Sequence, residues 1–156
     1  MMNLVPFVKN LFLLVFVIAK MGIYDKEIID YINLFERVTR SRVKDCFYHN
    51  EILVFVVEEG YASKAIGKKG ANISKFSALI KKRLKVVEYS EDPLVFIKNL
   101  VYPIKLKDVK LEGDTLKISA ELQKDKGLLI GRDKRNLENF KKAMKSYFKI
   151  ENVKVI

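Results

Sequence analysis

Two stretches of this chain match one another at an offset of 64 residues: Ile66-Gly67-Lys68-Lys69-Gly70-Ala71-Asn72-Ile73 and Ile130-Gly131-Arg132-Asp133-Lys134-Arg135-Asn136-Leu137. In both, an apolar residue and a glycine precede a short, mostly basic run, an asparagine and then apolar positions at helical spacing. Ile73, Phe76, Ile80 and Leu84 are matched by Leu137, Phe140, Met144 and Phe148. Between positions 66 and 85 six residues are identical at this offset: Ile66/Ile130, Gly67/Gly131, Asn72/Asn136, Phe76/Phe140, Lys81/Lys145 and Lys85/Lys149. Chance would give about one or two, so the chain reads as a duplication. Units of roughly 65 residues lie near the lower limit for independent stability and are expected to pack on each other. The expected division is an apolar extension at 1–20, a first unit at 21–90 and a second at 91–156.

Periodicity supplies the elements. Ile28, Tyr31, Ile32 and Phe35 recur at helical spacing behind Asp25, a residue suited to cap the amino end. Arg42 to Tyr48 and Ile52 to Val57 read as strands of a hairpin around His49-Asn50-Glu51. A short helix from Tyr61 to Ile66 is predicted to stop at Gly67. A second runs from Ala71 to about Arg83 with Leu84 continuing its apolar face, and a strand follows over Lys85 to Tyr89. The second unit repeats this order. It has a helix from Pro93 to Leu100, strands over Ile104 to Leu111 and Thr115 to Leu122, and helices over Lys124 to Ile130 and Arg135 to Phe148. Its last strand covers Ile150 to Ile156. The fold class is α+β, in two tandem units ordered helix, strand, strand, helix, helix, strand.

Thirty Lys and Arg against nineteen Asp and Glu give a formal charge of +11, which suits a polyanionic partner. A lysine-rich compositional habit would give the same balance. One cysteine, Cys46, and one histidine, His49, exclude an internal disulfide and a His/Cys metal site. Cys46 reads as a small buried strand residue and His49 as a turn residue. Nothing pairs a nucleophile with a base, and the acidic residues are scattered among lysines, so neither catalysis nor a metal or other cofactor is expected.

Residues 1–20 stand apart. Leu11 to Ala19 is an unbroken apolar run, yet nine helical residues rise only about 14 Å against the ~30 Å hydrocarbon core of a bilayer. The favoured reading starts translation at Met21, with residues 1–20 outside the natural protein. A secretory signal or membrane anchor and an authentic packed helix are the alternatives. The expected location is the cytoplasm, with no membrane partner.

The repeated loop carries the chemistry. A Gly-x-x-Gly between two helices lets another backbone approach closely, because neither glycine has a side chain. The loop amides and the amino end of the next helix then face phosphate oxygens. Lys68 and Lys69 add charge along that path, and Ile66 and Ile73 flank a groove where bases rest on an apolar floor. Gly67, Gly70 and Asn72 complete the first candidate nucleic-acid site. In the second, Gly131, Arg132, Lys134 and Arg135 are the candidates, but Lys134 replaces the closing glycine and Asp133 opposes a phosphate. Lys81, Lys82, Arg83 and Lys85 either extend the basic surface or answer a helix dipole. Lys141, Lys142 and Lys145 read as a solvated helix face.

The string Ile66 to Ile73, set between helical patterns after a hairpin, resembles the signature of the KH family of single-stranded nucleic-acid binding domains, whose loop clamps about four nucleotides. The helix-and-hairpin-first order is that of the type II members, each a three-stranded sheet with helices on one face. Two such units, preceded by Tyr31 to Thr39 and Val43-Lys44-Asp45-Cys46, resemble the short archaeal relatives of the NusA transcription elongation and termination factors over about residues 23–156. The resemblance implies single-stranded RNA as partner and a role in transcription elongation or termination. There is no room for the polymerase-binding amino-terminal domain or the S1 domain of bacterial NusA. A rival reading is an adaptor that docks on RNA polymerase or ribosomal proteins and touches RNA incidentally.

Overall fold

The computed structural model describes residues 26–156, so the apolar segment, the Met21 start and the Asp25 cap lie outside the described residues. The first unit comprises α1 (Lys26–Thr39), β1 (Val43–His49), β2 (Ile52–Val57), α2 (Ala62–Ile66), α3 (Ala71–Ile80) and β3 (Leu84–Glu88). The second comprises α4 (Pro93–Val101), β4 (Leu106–Glu112), β5 (Thr115–Ala120), α5 (Asp125–Ile130), α6 (Arg135–Phe148) and β6 (Asn152–Val155). Each half forms a three-stranded mixed sheet in the order β1-β2-β3 or β4-β5-β6, with the middle strand antiparallel to the first and parallel to the third. A parallel pair needs a long crossover, and the helix-loop-helix segment supplies it. The two hairpins share a register irregularity, between Val43 and Asp45 and between Leu106 and Asp108.

The helices follow their local chemistry. In α1, Ile28, Phe35 and Thr39 are buried on one face. Asp92 caps α4 by accepting from the Leu94 amide at 2.9 Å, with Pro93 in the first turn, where its missing N–H costs nothing. His49 closes β1 rather than sitting in the turn, which is left to Asn50, at φ 59°, and Glu51.

The duplication is not uniform. Helix α3 stops at Ile80, not near Arg83, because Lys81 turns into the left-handed region at φ 56° and Leu84 opens β3. Its counterpart α6 runs four residues further, to Phe148, and is ended by Lys149 at φ 57°. Lys81 therefore corresponds to Lys149, and the Lys81/Lys145 and Lys85/Lys149 identities do not mark equivalent positions. Strand pairing makes Lys154 the equivalent of Lys85, through Val54 and Lys117.

Two cores result. The first joins α1, α2, α3 and one face of sheet β1-β2-β3, and centres on Phe35, Phe55 and Phe76. Phe35 stacks on Phe55 at 4.1 Å while Phe76 meets both edge-on. The second takes Val54, Val56 and Val87 from the other face of that sheet together with α4, β5, α5 and α6. The first sheet is thus covered on both sides, which explains the continuous apolar run Leu53 to Val57, all buried. In β5 only Leu116 and Ile118 are buried, and Lys117 and Ser119 point away from the core.

Candidate nucleic-acid interface

Both repeated loops adopt one backbone. Gly67 has φ 77° and ψ 169°, Lys69 φ 54°, and Gly70 φ 74°. Gly131, Asp133 and Lys134 follow at φ 75°, 53° and 60°. The lost second glycine therefore does not change the turn. Lys134 holds the left-handed conformation that Gly70 holds, at roughly 1–2 kcal/mol of steric cost for an L residue.

The two glycines of the first loop serve different ends. A Cβ on Gly67 would fall 2.8 Å from Asn72 Cγ, and one on Gly131 2.7 Å from Asn136 Cγ, whereas nothing lies within 4 Å of the Cβ position on Gly70. Asn72 fills the hollow over Gly67 and donates through Nδ2 to the Lys64 carbonyl at 2.9 Å; Asn136 does the same to Leu128 at 2.7 Å. The asparagine thus ties the helix after the loop to the helix before it. Glu88 steadies the approach by accepting from the Gly60 amide at 2.8 Å, just ahead of α2.

Lys68 and Lys69 are exposed and Ile66 and Ile73 half-buried, with the loop at the amino end of α3. In the second loop Arg132, Asp133, Lys134 and Arg135 are all exposed at the amino end of α6. The structure brings each predicted set together within its own loop. Lys85 departs from the basic surface considered for it. It faces the second unit, where its Nζ donates to the carbonyls of Leu100 at 2.7 Å and Tyr102 at 2.5 Å at the end of α4. Burial pushes its pKa down to about 8.

Other junction contacts went unread in the sequence. The Asn50 side chain donates to Asn136 Oδ1 at 3.1 Å. His49 Nδ1 meets Asn139 Nδ2 at 3.2 Å, and its ring stacks on Phe140 at 5.6 Å. The Asn139 amide nitrogen can only donate, so His49 Nδ1 accepts from it, and burial and then the charge of Lys85 lower the His49 pKa. Tyr147 donates to Asp45, whose pKa burial raises. A cleft of about 480 Å³ opens at this junction, lined by Ile73 after the first loop and by Leu128 and Asn136 beside the second. Nothing in the sequence marked these contacts, since Asn50 suits a turn at positive φ and a polar residue such as His49 is ordinary at a hairpin tip.

The matches to known proteins agree with this geometry. A KH domain model matches residues 29–116, ending in β5. The chain is 33% identical over 141 residues to the probable transcription termination protein NusA of Methanocaldococcus jannaschii, covering 88% of this chain and 76% of that one. It is 35% identical over 128 residues to the protein of the same name from Methanococcus vannielii, covering 80% and 74%. The crystal structure of APE1850 superposes with a TM-score of 0.63 at 29% identity, over 85% of this chain and all of the other. A duplicated helix-strand-strand-helix-loop-helix-strand unit, glycine loops between its helices and this extent of identity lead to one conclusion: the chain belongs to the KH domain family, among the archaeal NusA-like proteins.

Proposed function

We propose that this protein binds single-stranded RNA on the Gly67–Gly70 loop and acts, as a cytoplasmic factor and not an enzyme, in transcription elongation or termination. The observation that carries the reading is the pairing of an open Gly70 Cβ position with two exposed lysines at the amino end of α3. The φ of 74° favours glycine in the turn, as the strained Lys134 shows, and with nothing within 4 Å of its Cβ position Gly70 also leaves the loop open to whatever approaches from outside. Phosphates would lie over Lys68, Lys69 and the loop amides, with bases toward Ile66 and Ile73. Asn72 acts by bracing Gly67. Gly131, Arg132, Lys134 and Arg135 form a second, electrostatic contact. There Asp133 lowers the local charge and the Lys134 side chain keeps backbone from approaching as closely.

The decisive experiment is a titration of single-stranded RNA, single-stranded DNA and duplex at several salt concentrations. Gly70→Asp is expected to weaken RNA binding at least tenfold while the protein stays folded. Each of Lys68→Ala and Lys69→Ala should flatten the salt dependence by about 0.7 in log–log slope. Equal RNA binding by wild type and Gly70→Asp would refute the site. Salt-insensitive association with RNA polymerase and negligible RNA affinity would favour the adaptor reading.

A further inference from the structure

The junction cleft has a chemistry distinct from either loop. Phe47, Ile52, Val54 and Phe140 give it apolar walls, and Tyr102, 66% exposed, stands on its rim. A volume of about 480 Å³ falls in the range of small-ligand sites. Its floor holds the Lys85 ammonium, which has three N–H donors and uses two of them on the Leu100 and Tyr102 carbonyls. No carboxylate of the described residues forms an ion pair with Lys85, so this half-buried cation lining the cleft keeps one N–H beyond those two bonds. His49 and Asn136 have already committed their acceptor atoms, to Asn139 and Asn50. The recess therefore offers donors to a flat, apolar-faced guest that carries an oxygen acceptor.

The position selects the guest. Ile73, three residues after Gly70, lines this cleft, and so do Leu128 and Asn136, which flank the second loop. A strand that engaged both loops would run past residues of this lining. We infer that the cleft takes one unstacked base of the bound RNA, laid against Tyr102, and that Lys85 reads its ring carbonyl, favouring guanine or uracil over adenine. Guanine O6 and uracil O4 accept from an ammonium, whereas the adenine N6 amino group at the same edge donates and would face the cation donor to donor. Stacking on one aromatic face supplies the affinity and is indifferent to base identity.

This inference rests on the RNA reading above, and the test separates the two. Short single-stranded RNAs long enough to reach both loops are scanned with one adenine or one abasic substitution at a time, against wild type, Tyr102→Ala, Tyr102→Phe, Lys85→Met and Gly70→Asp. Wild type should show one position, outside the run clamped by the first loop, where an abasic site or adenine weakens binding about tenfold. Tyr102→Ala should lose about tenfold affinity and that positional effect with an unchanged salt slope, and Tyr102→Phe should retain both. Lys85→Met should bind but no longer separate adenine from uracil there. Because Tyr102 is exposed, its variants test the cleft even if Lys85→Met loosens the junction. Wild-type binding and discrimination in Tyr102→Ala, alongside loss of binding in Gly70→Asp, would overturn the cleft while leaving the loop standing. Absence of RNA binding by wild type would overturn both.

Discussion

Gly67 and Gly70 look alike in the sequence and differ in what a side chain would meet. Gly67→Ala forces a Cβ to within 2.8 Å of the asparagine brace and must also hold φ 77°. Gly70→Ala pays only for its φ of 74°. Denaturant unfolding should show Gly67→Ala losing more than about 2 kcal/mol and Gly70→Ala only ~1 kcal/mol. The converse change, Lys134→Gly, should raise stability by up to ~1 kcal/mol by relieving the left-handed lysine. The glycine spacing could be read from sequence, but not this division of labour, because it depends on where the Asn72 amide points. Lys85 makes a second case. Its folded pKa of about 8 lies below the ordinary lysine value, so the unfolded chain binds more protons between that pH and about 10.4. Stability contributed through Lys85 therefore rises as pH climbs across that window. The stability difference between wild type and Lys85→Met should shift in favour of wild type from pH 8 to 10; a shift the other way contradicts the burial.

At the scale of elements, the two units differ where one is covered and the other is not. The first sheet turns Phe47, Val54 and Lys85 toward the second unit in a single cross-strand row. The equivalent row of the second sheet is Lys110, Lys117 and Lys154. Like charges side by side on adjacent strands are unfavourable, and here Asp108 and Glu112 partly offset them through ion pairs of 3.5 and 2.7 Å. A polar end face is what a stacked pair needs if it is to stop at two. Replacing Lys110 by Phe and Lys117 by Val rebuilds the apolar row without a partner to cover it, and sedimentation should then show concentration-dependent self-association absent from wild type. This contrast was legible, since Ile52 to Val57 is apolar throughout and β5 alternates. The end of α3 was not. Leu84 falls four residues after Ile80 and fits a helical stripe, and the left-handed stop is a lysine rather than a glycine.

At the scale of the whole molecule, the extra turn of α6 adds an aromatic set to the junction between the halves. It carries Tyr147 and Phe148, neither of which has a counterpart in the shorter α3. Phe148 stacks on Tyr89 at 5.9 Å, and Tyr147 meets Tyr89 and Phe96 edge-on while its hydroxyl reaches across to Asp45. Lys44 Nζ lies 4.2 Å from the centre of the Tyr89 ring. Since the second core contains Val54, Val56 and Val87 of the first sheet, the first half cannot unfold without opening that core, and unfolding of the second half strips the cover from one face of the first sheet. Thermal unfolding should be a single transition with coincident near- and far-ultraviolet signals. Tyr147→Phe keeps the ring packing and removes only the hydroxyl, leaving a buried carboxylate with the Cys46 amide as its remaining donor. It should lower that one transition by about 1–3 kcal/mol without splitting it. Two separate transitions in wild type would mean that the junction does not couple the units, and a strand of RNA could then not count on the fixed spacing between the two loops.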